Sequence, residues 1–180
     1  ISSPNTEGLR NFHNQEKLTN LLSSLNKIKK DNKIDIPLLL KISPDIEDNY
    51  IPEIIDAAIK NNIAAIILTN TTNDNRKNLI SFFKKEEGGL SGLPLQKIST
   101  EMIKKFYREL KGKIPIIGVG GINSGKSAYE KILAGASLLQ LYTGFVYKGP
   151  SLIKDIKKEL IQILKEEGIK NIKEVTGKGA

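Results

Sequence analysis

The chain has 180 residues, and 28 Lys and Arg against 20 Asp and Glu give it a formal net charge of +8. It has no Cys, which excludes a disulfide scaffold, a zinc knuckle and a cysteine nucleophile. Its 39% hydrophobic and 27% charged content is typical of a soluble globular chain, and no apolar run approaches the roughly 20 residues that span a bilayer. The length suits one domain, but it falls short of the roughly 250 residues of a complete (β/α)8 barrel.

The predicted elements alternate between helices and short apolar strands, and no linker divides them. In chain order they are a helix with an apolar stripe over 18–28, a strand over 37–42, a helix over 51–59, a strand over 64–70, a helix over 98–110, a strand over 114–121, a helix over 125–134 capped by Ser124, a strand over 137–142 and a helix over 152–164. Continuous apolar runs are typical of strands buried on both faces of a parallel sheet. The order therefore predicts a βα array with right-handed crossovers.

The positive charge does not indicate a nucleic-acid partner. Lysines alternate with acids, as in the segment 154–159, and aromatic residues are only 6% of the chain. Nucleic-acid binding requires a coherent basic face, which this pattern lacks. The single histidine, His13, lies in a polar stretch, and we expect it in an exposed loop rather than in a metal or catalytic site. We expect no metal site.

One interval between strands is unusually long. The 50 positions from Asn70 to Gly120 compare with 29 from Lys41 to Asn70 and 22 from Gly120 to Tyr142. The surplus lies in 73–97, and loops of that length in compact domains are usually functional.

The carboxyl ends of the predicted strands carry the candidate functional residues, because βα arrays place their working groups there. Gly120 and Gly121 precede a predicted helix start, and an exposed backbone at a helix start favours a phosphate. Tyr142 and Thr143 follow the neighbouring strand. A phosphate site is favoured over the alternative that the glycines only permit tight packing.

Two further strand ends leave their roles open. Lys41 ends a buried strand, so it either stabilises an anionic cofactor ring or pairs with Asp45. The segment 69–72 offers amide and hydroxyl groups to a planar ligand, although Asn and Thr also cap turns. Ser3 has no His beside it, so by composition it is a turn residue. The residues alone predict a phosphate-bearing ligand and leave the reaction open.

Six segments, taken in order, are similar to the signature blocks of one family, the class 2, quinone-dependent dihydroorotate dehydrogenases. The segments are 2–10, 40–45, 69–72, 88–95, 115–122 and 134–143. Related flavin barrels share the glycine turn but not the whole set.

The resemblance implies an α/β fold, the (β/α)8 TIM barrel, of which residues 1–180 form roughly the carboxyl-terminal half without the amino-terminal strands. It implies FMN as cofactor and oxidation of dihydroorotate to orotate in pyrimidine (UMP) biosynthesis, with quinone as electron acceptor. It also implies the amino-terminal half of the barrel as a partner. A peripheral position on a respiratory membrane, bacterial or mitochondrial, is expected through an amino-terminal element outside the chain.

The resemblance also implies residue roles. Ser3 matches the catalytic base, for which we consider Thr6 as a proton relay, and Asn5, Asn70 and Thr71 match substrate contacts. The implied FMN contacts are Lys41, Thr69, Ser91, Gly92, Gly120, Gly121, Tyr142 and Thr143. The alternative is a non-catalytic half-barrel that binds phosphate or flavin and needs a complementary half; a different FMN or sugar-phosphate barrel would leave Ser3 and 69–71 unexplained.

Overall fold

A computed structural model describes residues 1–6, 8–74, 76–77 and 79–180. Its centre is one parallel sheet of four strands in the order β1-β2-β3-β4. The strands are Leu39–Ile42 (β1), Ala65–Leu68 (β2), Ile116–Val119 (β3) and Leu138–Gln140 (β4). The predicted parallel sheet with alternating helices is confirmed.

One helix precedes the sheet and the others lie between and after its strands, close to their predicted positions except for the short α5, which was not predicted. They are Gln15–Asp31 (α1), Tyr50–Lys60 (α2), Gln96–Leu110 (α3), Gly125–Leu133 (α4), Thr143–Lys148 (α5) and Ser151–Glu166 (α6), with 3-10 helices at Leu9–His13, Leu93–Leu95 and Ile172–Glu174. Ser124 caps α4 as predicted, because its side chain accepts a hydrogen bond from the Ser127 amide at 3.2 Å. No helix in the described ranges is long and apolar enough to cross a membrane.

The two faces of the sheet differ in how far they are covered. Successive side chains of a strand point to opposite faces. One face carries Leu40, Ile42, Ile66 and Leu68, which are buried in a core shared with α1, α2 and α3. The opposite face, which we call the inner face, starts at Leu39 in β1.

The inner face is open at both edges of the sheet. In the pairing register Lys41 of β1 lies beside Ile67 of β2, and Leu39 lies two residues earlier on the same face. Leu138 of β4 lies beside Ile117 of β3 on this face. Leu39 is 46% exposed and Leu138 is 62% exposed. The prediction that every strand is buried on both faces is therefore wrong for β1 and β4, because within the described residues nothing covers the inner face at these two edge strands.

His13 also differs from its expected place. It ends the 3-10 helix Leu9–His13 and is buried, with 8% of its surface exposed. The chain bends back here so that the 3-10 helix contacts α1. The expectation of an exposed loop histidine is wrong for that reason.

A buried lysine joins α3 to α4. Lys131 of α4 is fully buried, and its Nζ donates to the Gln96 carbonyl and to Thr100 Oγ1, both at 2.7 Å. The Gln96 side chain donates to the Glu130 carboxylate at 2.8 Å. Burial lowers the pKa of Lys131 from 10.5 to about 7, against the opposing attraction of Glu130.

This shifted pKa predicts a pH dependence of stability. Between about pH 7 and pH 10 the unfolded chain keeps the Lys131 proton and the folded chain does not, so the free energy of unfolding rises with pH by roughly 1 kcal/mol per unit. Below about pH 7 both states are protonated and this contribution stays constant. Urea titrations across this range measure the slope. Lys131→Met should flatten it, whereas Lys126→Met, at an exposed position of the same helix, should not. An unchanged slope in Lys131→Met would contradict the assignment.

Candidate functional site

A cavity of about 310 Å³ lies at the carboxyl ends of all four strands. Its walls come from the end of β1 and from the turns that follow β2, β3 and β4, because parallel pairing brings these ends to one edge of the sheet. Every residue implied as a cofactor contact lines this cavity: Lys41, Thr69, Ser91, Gly92, Gly120, Gly121, Tyr142 and Thr143. Asn70 and Thr71, implied as substrate contacts, line it as well.

The glycine turn after β3 packs against the start of α3. Gly120 and Gly121 have φ angles of +124° and +72°, which disfavour any residue with a side chain. A Cβ on Gly121 would lie 2.4 Å from the Gln96 Cβ, and one on Gly120 would lie 2.9 Å from the Ser99 Cβ. The Ser99 hydroxyl donates to the Val119 carbonyl and fixes this contact. The turn is therefore tightly packed on its α3 side, and it also lines the cavity, so the phosphate site stays a prediction.

At the start of α4, which the sequence indicated as part of an anion site, several backbone amides already have side-chain partners. The amides of Asn123 and Ser124 both donate to Ser127 Oγ at 3.0 Å, and the Gly125 amide donates to the carboxylate of Glu159 on α6. These side chains already accept hydrogen bonds from three of the amides near this helix start. An anion in the cavity would depend on the glycine turn and on Thr143.

The segment before α3 forms another wall of the cavity. Thr143 Oγ1 donates to Ser91 Oγ at 2.8 Å, which joins the long β2–α3 connection to the residue that begins α5. A Cβ on Gly92, whose φ is +79°, would lie 3.1 Å from Thr143 Cγ2. Tyr142 beside it is 79% exposed. Small residues at 91 and 92 thus allow this segment to lie close to the end of β4.

Lys41 extends from the inner face into the cavity and does not pair with Asp45. Among the described residues no ion pair joins these two side chains. The Asp45 carboxylate accepts hydrogen bonds from Thr72 Oγ1 and, at 3.0 Å, from the Asn73 amide. Asp45 therefore holds the turn after β2, and the Lys41 ammonium is available to a ligand.

The amino-terminal segment lies beside the cavity but does not line it. Asn70 Nδ2 donates to the buried Ser2 Oγ at 3.0 Å, and its Oδ1 accepts from the Thr71 amide at 2.9 Å. Ser3 Oγ accepts from the Asn5 amide at 3.2 Å. Ser3 is partly buried and Asn5 is exposed. Ser2 was not selected from the sequence, although it connects this segment to the end of β2.

A second cavity, of about 650 Å³, adjoins the amino-terminal segment and includes Asn5 and Arg76 in its walls. Asn73 Nδ2 donates to the Pro4 carbonyl at 3.3 Å, which connects the β2–α3 connection to the amino-terminal segment. Thr6 is exposed, and no hydrogen bond joins it to Ser3 within the part of the chain that the structure describes. The hypothesis of a Thr6 relay gains no support from this arrangement.

No group of three or more His, Asp and Glu among the described residues is arranged to hold a metal ion.

The sequence and the structure are both similar to known proteins of one kind. A family model described as dihydroorotate dehydrogenase matches residues 1–164. A dihydroorotate dehydrogenase (quinone) of Trichodesmium erythraeum is 45% identical over 184 positions, which cover 98% of this chain and 48% of the relative. One of Vibrio cholerae is 50% identical over 164 positions, which cover 89% of this chain and 49% of the relative. The chain thus spans about half the length of these relatives.

Solved structures agree with the sequence relatives. The ligand-free crystal structure of DHODH from Eimeria tenella has 34% sequence identity and a TM-score of 0.91, and covers 99% of this chain and 54% of that one. The same protein in complex with ferulenol has 35% identity and a TM-score of 0.89, with 52% of that chain covered.

Two glycine variants test the packing of the turn. Gly112 and Gly121 both have left-handed backbone conformations, but no atom lies within 4 Å of a Cβ at Gly112. Gly112→Ala should therefore lower the free energy of unfolding only by the conformational cost of about 1–2 kcal/mol. Gly121→Ala should lower it by about a further 1–3 kcal/mol because of overlap with Gln96. Urea denaturation measures both, and equal losses would contradict the close approach.

Proposed function

The chain belongs to the dihydroorotate dehydrogenase family, and from this membership we propose that it is the carboxyl-terminal half of a catalytic barrel that oxidises dihydroorotate to orotate. Quinone is the proposed electron acceptor, as the names of the relatives suggest, and the proposed pathway is pyrimidine synthesis. The observation that carries the proposal is one cavity at four strand ends, lined by the residues that the resemblance implies as cofactor contacts and by Asn70 and Thr71.

The residues around the cavity fit FMN. Side chains are excluded from the glycine turn on its packed side, so only its backbone faces the space, where it suits a phosphate. The Thr143 hydroxyl lies on the neighbouring strand end, and the Lys41 ammonium approaches from the inner face. Gly120, Gly121 and Thr143 would hold the phosphate, and Lys41 would stabilise negative charge on the ring. FMN, when bound, supplies the acceptor for the hydride from C6 of dihydroorotate.

Ser3 is the proposed base for the proton at C5 of the substrate. A neutral hydroxyl is a weak base, so its basicity depends on its surroundings. As Ser3 Oγ takes the C5 proton, its own hydroxyl proton would pass to a water molecule, and the Asn5 amide, which donates to Ser3 Oγ, would stabilise the negative charge that develops on that oxygen. The same hydrogen bond fixes the direction of the oxygen. Asn5 thus supports Ser3 with its main chain, while its exposed side chain stays available to the substrate.

Asn70 is suited to orient the substrate. Its side chain is held at both ends, by Ser2 and by the Thr71 amide. An amide nitrogen has two hydrogens, and only one is used by Ser2. The second is available to a carbonyl or carboxylate of a ligand in the cavity. Because Ser2 precedes Ser3, the Asn70 contact also keeps the base near the cavity.

The open inner face favours a second candidate function for the chain by itself. Leu39 and Leu138 are exposed at opposite edges, where further strands of a closed barrel would cover them. By itself the chain would be a half-barrel that binds phosphate or flavin and requires a complementary half for catalysis. One membrane contact of the whole protein is proposed to reside in an amino-terminal element outside this chain.

The visible spectrum of the purified chain tests these two functions. The chain is measured alone and after co-expression with the amino-terminal half of the Vibrio cholerae relative. We expect a flavin absorbance band in the complemented protein and anaerobic bleaching of that band by dihydroorotate. A band in the chain alone that does not bleach supports the binding half-barrel. Colourless protein in both preparations would contradict the assignment of the cavity to FMN.

Substitution of the proposed base tests the proton step. Ser3→Ala in the complemented protein should keep the flavin band but slow its reduction by dihydroorotate about 10²–10⁴-fold, because a positioned base contributes this much. Thr6→Val is the matched control, since Thr6 is exposed nearby and makes no hydrogen bond to Ser3 among the described contacts. Rapid-mixing spectroscopy measures the rates. Equal rates for Ser3→Ala and the unmodified protein would rule out Ser3 as the base.

A further inference from the structure

The long β2–α3 connection contains a segment that the proposed cofactor site does not use. Its base is an antiparallel bridge in which the Thr72 amide donates to the Leu90 carbonyl at 3.1 Å and the Leu90 amide donates to the Thr72 carbonyl at 2.7 Å. Beyond this bridge, Arg76 of the outgoing arm donates to the Glu86 carbonyl at 2.5 Å and to the Gly88 carbonyl of the returning arm. The two arms are therefore tied together, and the residues between them project as a closed loop.

The loop tip, defined as residues 79–83, presents large apolar side chains to solvent. Ile80 and Phe82 are essentially fully exposed, and Phe83 is 68% exposed. The two phenyl rings contact each other edge to face, with centroids 5.6 Å apart. Three such side chains within four positions form an exposed apolar patch of the kind that marks an interaction surface.

The flanks of the loop tip are basic. Arg76 and Lys77 precede it, Lys84 and Lys85 follow it, and positions 76–85 contain no acidic residue. The nearest acidic residues in the sequence, Asp74 and Glu86, lie outside this stretch. An apolar, aromatic tip between lysines is complementary to an anionic lipid surface, where apolar side chains enter the acyl boundary and lysines remain among the headgroups.

We propose that the loop tip docks on an anionic bilayer surface, with Ile80, Phe82 and Phe83 as the inserting side chains. The lysines at 77, 84 and 85 supply the electrostatic attraction. The loop tip is separate from the 310 Å³ cavity, which the β2–α3 connection lines only with residues 69–71, 91, 92 and 95 near its two ends. Lys84 and Lys85 line the second cavity, but none of the three apolar side chains does. Docking therefore requires neither flavin nor dihydroorotate, and it can be tested even if the proposed enzymatic function fails.

The absence of tryptophan from the sequence provides a direct experiment. Phe82→Trp introduces a single indole at the loop tip, whose emission shifts to the blue when it leaves water. The full chain is mixed with vesicles of phosphatidylcholine alone or of equal parts phosphatidylcholine and phosphatidylglycerol. We expect a blue shift only with the phosphatidylglycerol vesicles, and we expect its apparent affinity to fall about tenfold or more in high salt, because screening weakens the attraction of several lysines.

Two further variants distinguish docking by the loop tip from nonspecific adsorption of the protein to vesicles. Tyr147→Trp places the indole at an 85% exposed position on α5 and should show no shift. Adding Ile80→Ser and Phe83→Ser to Phe82→Trp should abolish the shift, and circular dichroism checks that the fold is kept.

Several results would overturn the proposal. They are no shift with either vesicle, an equal shift with neutral vesicles, and an equal shift in Tyr147→Trp. A shift that depends on protein concentration without vesicles would indicate a second copy of the chain as the partner. A shift caused by FMN and dihydroorotate without vesicles would indicate that the loop closes over the site.

Discussion

The cavity depends on the close approach of the glycine turn to the first turn of α3. Because residues 120 and 121 have no side chains, the chain leaving β3 passes against Gln96 and Ser99 without overlap. That approach fixes where β3 ends and, through the β3–β4 register, where Thr143 lies. Lys131 of α4 stabilises the same contact, because its buried Nζ donates to the Gln96 carbonyl and to Thr100 Oγ1. This wall of the cavity therefore depends on a buried polar cluster between α3 and α4.

The elements were largely predictable because local pattern determines them. The apolar runs that contain Leu40 and Ile66 form strands, and the parallel order follows from the alternation with helices. The rule that strand ends carry function selected Lys41, the 69–72 segment and the glycine turn, and the structure places all of them on one cavity, apart from Thr72. The assignment of Ser3 as a base came only from family resemblance, since nothing in its local chemistry distinguishes it from a turn residue.

The features that the sequence did not predict depend on long-range contacts. The Glu159 carboxylate accepts from the Gly125 amide at the start of α4, although Glu159 lies on α6, which begins 26 positions after Gly125. No local sequence pattern predicts that contact. Asp45 bonds to the turn after β2 rather than to the nearer Lys41 for the same reason. Leu39 and Leu40 are the same residue type, yet one is exposed and one buried, because only the register and the edge position decide which face is covered.

The strict sequential order of the sheet has a consequence for how freely the β2–α3 connection can vary. Each strand pairs only with its neighbours in the chain, so each pairing closes one connection of a few tens of residues. Loop-closure entropy grows only with the logarithm of length, at about 0.6 kcal/mol for each doubling. The connection after β2 is a little more than twice as long as its neighbours, so it costs only about 0.6–0.9 kcal/mol more than they do. Insertions and deletions between Arg76 and Glu86 are thermodynamically cheap, and a barrel of this design can change what its loop contacts without refolding its core.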